Sequence, residues 1–152
     1  MTMKELMCAQ VKSCSPDTDL ATAAKIMWDG DCGIVPVVNE ERHVVGVITD
    51  RDICIAAATR SMLPASIRVQ DVMSREVFTC AANDNVRDAL GTLKNRRVRR
   101  LPVVDEHDRL VGIISMSDLV MRAESRRGAE VPGEEFLDTM KAICAHAAAA
   151  AA

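Results

Sequence analysis

At 152 residues the chain is long enough for one compact domain, or for two half-size units that share a core. A formal net charge of -3 leaves no basic footprint for a nucleic-acid backbone, and no stretch approaches the roughly 20 apolar residues that cross a bilayer, so nucleic acid and membrane are excluded as partners. Hydrophobic residues reach 49% with only two Phe, one Trp and no Tyr, so any core or ligand pocket has to be aliphatic.

The opening MTMKELMCAQ has no apolar run of signal-peptide length, which points to the cytoplasm. Six cysteines (Cys8, Cys14, Cys32, Cys54, Cys80, Cys144) occur without a CxxC and read as reduced, small hydrophobes. The first expected element is a short extended piece around Val11. Leu20, Ala23, Ala24 and Met27 then recur at helical spacing over 19–29. Two β-branched runs follow at 34–38 and 44–48, separated by the polar Asn39-Glu40-Glu41-Arg42, which is a hairpin pattern. Thr49 stands as the N-cap of a second helix with Asp52 three residues on, the signature of a capping box. A linker at 59–70, with Pro64 inside it, closes the first half.

The second half repeats the order. An extended piece around Val77 precedes a helix over 85–95 with Val86, Ala89, Leu90 and Leu93 on one face. A hairpin follows at 101–104 and 110–114, and then a second box of Ser115 and Asp118. A shift of 66 residues aligns the halves without a gap: Met7 on Met73, Val11 on Val77, Cys14 on Cys80, Pro36-Val37-Val38 on Pro102-Val103-Val104, and Asp52 on Asp118. The chain therefore holds one βαββα unit twice, at 5–58 and 71–124. Pro36 and Pro102 fall inside β runs, where a missing N–H leaves the neighbouring backbone groups expected to lack sheet partners. The extension at 125–146 carries one more amphipathic helix over 134–143, expected to pack on the body or on a partner subunit. The alanines at 147–152 read as a tag or as unassigned residues.

The paired repeat, the apolar-Pro-Val-Val element and the Gly-apolar-apolar-[Thr/Ser]-x-x-Asp element resemble a tandem cystathionine-β-synthase (CBS) domain pair, the Bateman module. The resemblance implies an α+β fold, two repeats packed sheet to sheet about a pseudo-two-fold axis with two clefts between them, and a homodimer of such pairs. It implies regulatory binding of an adenosine-containing ligand, with AMP, ADP, ATP or NAD ahead of S-adenosylmethionine, reported to a protein effector. It implies no catalytic cofactor and no metal.

Residue chemistry suits that ligand. Free N–H groups at a strand-to-helix junction favour negative charge, and the Asp52 carboxylate can accept hydrogen bonds from two vicinal ribose hydroxyls. Thr49 is expected to donate to a ribose or phosphate oxygen, and Arg51 to neutralise phosphate. Ser115 and Asp118 take the same roles in the second repeat. Ile34, Val35 and Pro36, with Val11 and Ser13, are expected to form the first adenine slot; Val77, Thr79, Arg100, Leu101 and Pro102 form the second. The basic run Arg96-Arg97-Val98-Arg99-Arg100 faces Gly30-Asp31-Cys32-Gly33-Ile34 in the alignment, so Arg99 and Arg100 are expected to give the second slot a more phosphorylated ligand.

Catalysis finds no support, because His43, His107 and His146 pair with no nucleophile or ligand motif and no Gly-rich phosphate loop occurs. Two alternatives to a sensor stay open. One is an interaction module that dimerises without a ligand. The other is a metal or redox sensor in which Cys14 and Cys80, at equivalent positions, meet near the pseudo-axis.

Overall fold

The computed structural model describes residues 1–122 and 133–149. The end of the second repeat at 123 and 124, the extension over 125–132 and the last three alanines lie outside the described residues. The elements are α1 (Met3–Leu6), α2 (Leu20–Asp29), β1 (Ile34–Val38), β2 (Val44–Thr49), α3 (Asp50–Thr59), β3 (Cys80–Ala81), α4 (Val86–Arg96), β4 (Arg100–Val104), β5 (Leu110–Ser115), α5 (Met116–Val120) and α6 (Gly133–Ala149). Two 3-10 turns, Pro64–Ser66 and Val69–Asp71, occupy the region between α3 and β3. The mixed α+β class and the C-terminal helix are as the sequence implies. Among the described residues, no helix is long and apolar enough to cross a membrane.

The chain divides into two compact units that do not follow the repeat boundaries. The first unit comprises Lys12–Val77 with Asp108–Leu110; the second comprises Met1–Val11, Phe78–His107 and the described residues from Val111 onward. In the first unit β1 and β2 are antiparallel, with Ile34 opposite Thr49 and a bulge between Val37 and Val38. Asp19 caps α2 by accepting the Thr22 N–H at 2.9 Å. The helix lays Leu20, Ala23 and Met27 against Val35, Val37, Ile48, Ile53 and Ala56, and Ile67, Val69 and Met73 complete this aliphatic core. In the second unit the sheet order is β3-β4-β5, and Asn85 caps α4 through the Asp88 N–H. Val86, Ala89, Leu90 and Leu93 pack with Leu101, Val103, Ile114 and Leu119, joined by Met3 and Leu6 from α1.

Met3–Leu6 is too short for periodicity to reveal and was not expected as a helix. Its first turn is held by the Thr2 N–H donating to Glu5 Oε2 at 2.7 Å. Val11 and Val77 join no ladder themselves; strand-like pairing flanks them, three residues before at Cys8 beside Ile113 and at Ser74 beside Val47, and three residues after at Cys14 beside Val37 and at Cys80–Ala81 beside Val103 and Val104. The buried cysteines, rather than the half-buried valines, face each unit's core.

The prolines do not orphan their neighbours. Pro36 sits opposite Val47, whose N–H and C=O bond instead to Ser74 at 3.0 and 2.9 Å, so no ladder bond to the proline nitrogen is required. The Pro36 carbonyl accepts the Cys14 N–H at 3.1 Å, and the Val38 N–H donates to the Cys14 carbonyl at 2.9 Å. Helix α6 packs on α4 and α5 of the second unit, burying Ile143 in the core, with Arg87 Nε 3.2 Å from Glu135 Oε1. It runs to Ala149, into the alanine tail, as alanine's helix propensity allows.

Candidate functional site

Each repeat ends its hairpin in a closed capping box. Thr49 has extended backbone, φ -114° and ψ 161°, which turns its side chain over the first turn of α3. Its Oγ1 accepts the Asp52 N–H at 3.1 Å, while Asp52 Oδ2 accepts the Thr49 N–H at 3.0 Å and the Thr49 hydroxyl at 2.7 Å. Ser115, with φ -123° and ψ 162°, repeats this geometry: the Asp118 N–H lies 3.2 Å from the serine Oγ, and Asp118 Oδ2 accepts at 2.8 and 2.6 Å.

This closure corrects one expectation. A hydroxyl has a single hydrogen, and here it points to the carboxylate of its own box, so Thr49 and Ser115 do not donate outward. The carboxylates retain capacity. Oδ2 of Asp52 and of Asp118 takes two donors, whereas neither Oδ1 has a hydrogen-bond partner among the described residues. Because a carboxylate oxygen offers about two acceptor directions, each Oδ1 alone can receive two vicinal hydroxyls. Both aspartates are half-buried.

The strand beside each box is tied to it by one bond. The Asp50 N–H donates to the Gly33 carbonyl at 3.1 Å, and the Met116 N–H to the Arg99 carbonyl at 3.0 Å. In the first unit Ser13, Ile34, Thr49 and Asp52 are half-buried, Pro36 is buried and Arg51 is exposed; in the second, Pro102 is buried while Thr79, Arg99 and Arg100 are exposed. Val35 and Leu101 are both fully buried in their units' cores, so their side chains line no slot; strand alternation turns them inward. Val11 belongs to the second unit and Val77 to the first, so neither shares a compact unit with the slot the sequence suggested for it. Of the basic run, Arg96 lies over the Phe78 ring at 4.7 Å, and Arg97 takes the left-handed cap of α4 at φ 54°.

Burial pushes the Cys14 thiol up to about 11; burial and then the Asp84 charge push Cys80 up to about 12. At neutral pH both are thiols, poor nucleophiles and poor metal ligands, and they belong to different units. Among the described residues no three His, Cys, Asp or Glu side chains gather as a metal site.

Sequence reading missed one cleft, of about 420 Å³, in the second unit. Lys4, Met7, Ala82, Asn83, Val104 and Val111 line it, at the opposite ends of β4 and β5 from Arg100 and Ser115. It depends on α1 landing there, which no local pattern announces.

The CBS domain model matches residues 3–58 and 69–125. The CBS domain-containing protein YhcV of Bacillus subtilis is 33% identical over 128 residues, covering 84% of this chain and 89% of that protein. Hypoxic response protein 1 of Mycobacterium tuberculosis is 28% identical over 143 residues, 94% of both chains. The structure described as Hypoxic Response Protein I with two coordinated zinc ions has a TM-score of 0.72 at 29% identity, covering 80% of this chain and 98% of that one. The CBS domain pair of protein MJ0100, solved with 5′-methylthioadenosine and S-adenosyl-L-methionine, has a TM-score of 0.71 at 25% identity, covering 80% of this chain and 94% of that one.

Proposed function

The chain belongs to the CBS-domain family, carrying the domain twice, and on that basis we propose that it is a cytoplasmic regulatory sensor of an adenosine-containing ligand, with no catalytic step of its own. The observation that carries the reading is the pair of capping boxes, each with one carboxylate oxygen bonded inside the box and the other without a hydrogen-bond partner among the described residues. In this reading Oδ1 of Asp52 and of Asp118 accepts the two ribose hydroxyls. Ser13, Ile34 and Pro36 in one unit, and Thr79 and Pro102 in the other, contribute to holding the base. Arg99 and Arg100 face phosphate. The ligands favoured are AMP, ADP, ATP or NAD. The adenosine compounds bound by the MJ0100 domain pair support the ligand class.

Binding acts by population shift, through differential affinity for two arrangements of a homodimer that a protein effector distinguishes. Thermal melting with and without adenine nucleotides tests the reading. A ligand at 100 times its dissociation constant stabilises by about 2.7 kcal/mol, a rise of several degrees. The absence of a shift with every adenosine compound would instead favour a ligand-free interaction module. The protonated, buried state of Cys14 and Cys80 counts against the thiol-sensor alternative.

A further inference from the structure

We infer that the two boxes sort adenosine ligands by charge: the Asp52 box takes a nucleoside without phosphate, and the Asp118 box takes a nucleotide polyphosphate. This rests on the ligand-sensing reading above and concerns which member of that class each box accepts.

Equivalent positions in the two units share one backbone course. Asp31 and Arg97 both take the left-handed region, at φ 46° and 54°, so the turn that follows each unit's first long helix has one shape in both. The bonds from Asp50 N–H to Gly33 O and from Met116 N–H to Arg99 O then match within 0.1 Å. On this common frame the side chains carry opposite charge.

In the first unit the turn and the box present Asp31, Asp50 and Asp52, against Arg51 and Lys12, whose stem passes Gly30. Glycine at position 33 is what admits the Asp50 carboxylate, since a β-carbon there would stand 2.9 Å from Asp50 Oδ2. In the second unit the same positions hold Arg97, Arg99 and Met116. Arg96 and Arg100 add to the positive side, and at these positions Asp118 is the one carboxylate. Met116 is buried, so no acidic group stands where Asp50 does. Arg97, Arg99 and Arg100 have no ion-pair partner among the described residues, and Arg99 and Arg100 are exposed with their charge available. A phosphate chain is attracted by the second set and repelled by the first.

The test is isothermal titration of the full chain with ATP and, separately, with 5′-methylthioadenosine, which has no phosphate. Asp118→Asn should abolish the ATP isotherm, and Asp52→Asn should abolish that of 5′-methylthioadenosine. Arg99→Gln with Arg100→Gln keeps the aliphatic stems and should weaken ATP about tenfold or more, while leaving 5′-methylthioadenosine unchanged. Raising the salt should weaken ATP only. Asp50→Asn should open the first box to ATP as a second, weaker site. Melting curves check that each variant folds. An ATP affinity that stays within about twofold in the double Gln variant, or that is lost with Asp52→Asn instead of Asp118→Asn, overturns the inference while the sensor reading stands. Failure of every adenosine compound to bind the parent chain overturns both.

Discussion

Replacing Asp52 by asparagine separates the two jobs assigned to this side chain. The amide oxygen can occupy the Oδ2 position and still accept the Thr49 N–H and hydroxyl, now at 3.0 and 2.7 Å, so the start of α3 stays capped. The NH2 group then takes the place of Oδ1, and it donates where the carboxylate accepted. Weakening two local bonds from charged to neutral acceptors should lower the stability of the ligand-free chain by less than about 1 kcal/mol. Binding should suffer far more, because hydrogen bonds to a charged acceptor are worth about 1.5 to 3 kcal/mol each, and losing even one raises Kd roughly 10- to 150-fold. Calorimetric titration with the phosphate-free nucleoside, beside a melting curve of the unliganded variant, reads both quantities. A variant that melts like the parent and binds within about threefold of its Kd would reduce Asp52 to an ordinary helix cap and remove the ribose anchor from the first box.

Gly46→Ala and Gly112→Ala should each destabilise by about 1 to 3 kcal/mol in chemical denaturation. A β-carbon at Gly46 would stand 3.0 Å from the Ser74 carbonyl and 3.1 Å from Met73 Cγ, and one at Gly112 would stand 2.9 Å from Met7 Cγ; an unchanged midpoint would show that these methionines yield freely. Gly91→Ala should stabilise by about 0.5 to 1 kcal/mol, since it lies inside α4 and the new methyl meets nothing within 4 Å. Iodoacetamide at pH 8, followed by peptide mass mapping, should modify exposed Cys8, Cys54 and Cys144 but spare Cys14 and Cys80 until the chain unfolds. Because burial raises these two thiols from an ordinary 9.0 to about 11 and about 12, the unfolded chain loses its protons first. Their contribution to stability is therefore complete below pH 9 and declines as pH climbs toward 11; early labelling of Cys14 would contradict this.

What the chain alone determines is whatever rests on neighbours along it. Asp19 and Asn85 cap their helices because a short oxygen-bearing side chain three residues before a free N–H needs no distant partner. Thr49 with Asp52, and Ser115 with Asp118, close for the same reason. The 66-residue shift exposed the duplication because equivalent core positions demand similar side chains: Ala23 and Ala89, Val37 and Val103, Ile48 and Ile114 are each buried in their own unit.

Tertiary structure decided what depends on competition between distant, chemically similar segments. Met3 and Leu6 enter the core that holds Cys80 and Leu101, while Val69 and Met73 enter the core that holds Cys14 and Val35. Both cores are aliphatic and both segments carry apolar residues at similar spacing, so composition could not say which would go where. Tertiary structure also decided that Val35 and Leu101 face inward, since a run such as Ile34–Val38 has no polar alternation to mark its faces. Local patterns record short-range chemistry; the choice of partner among equals is made only when the chain closes on itself.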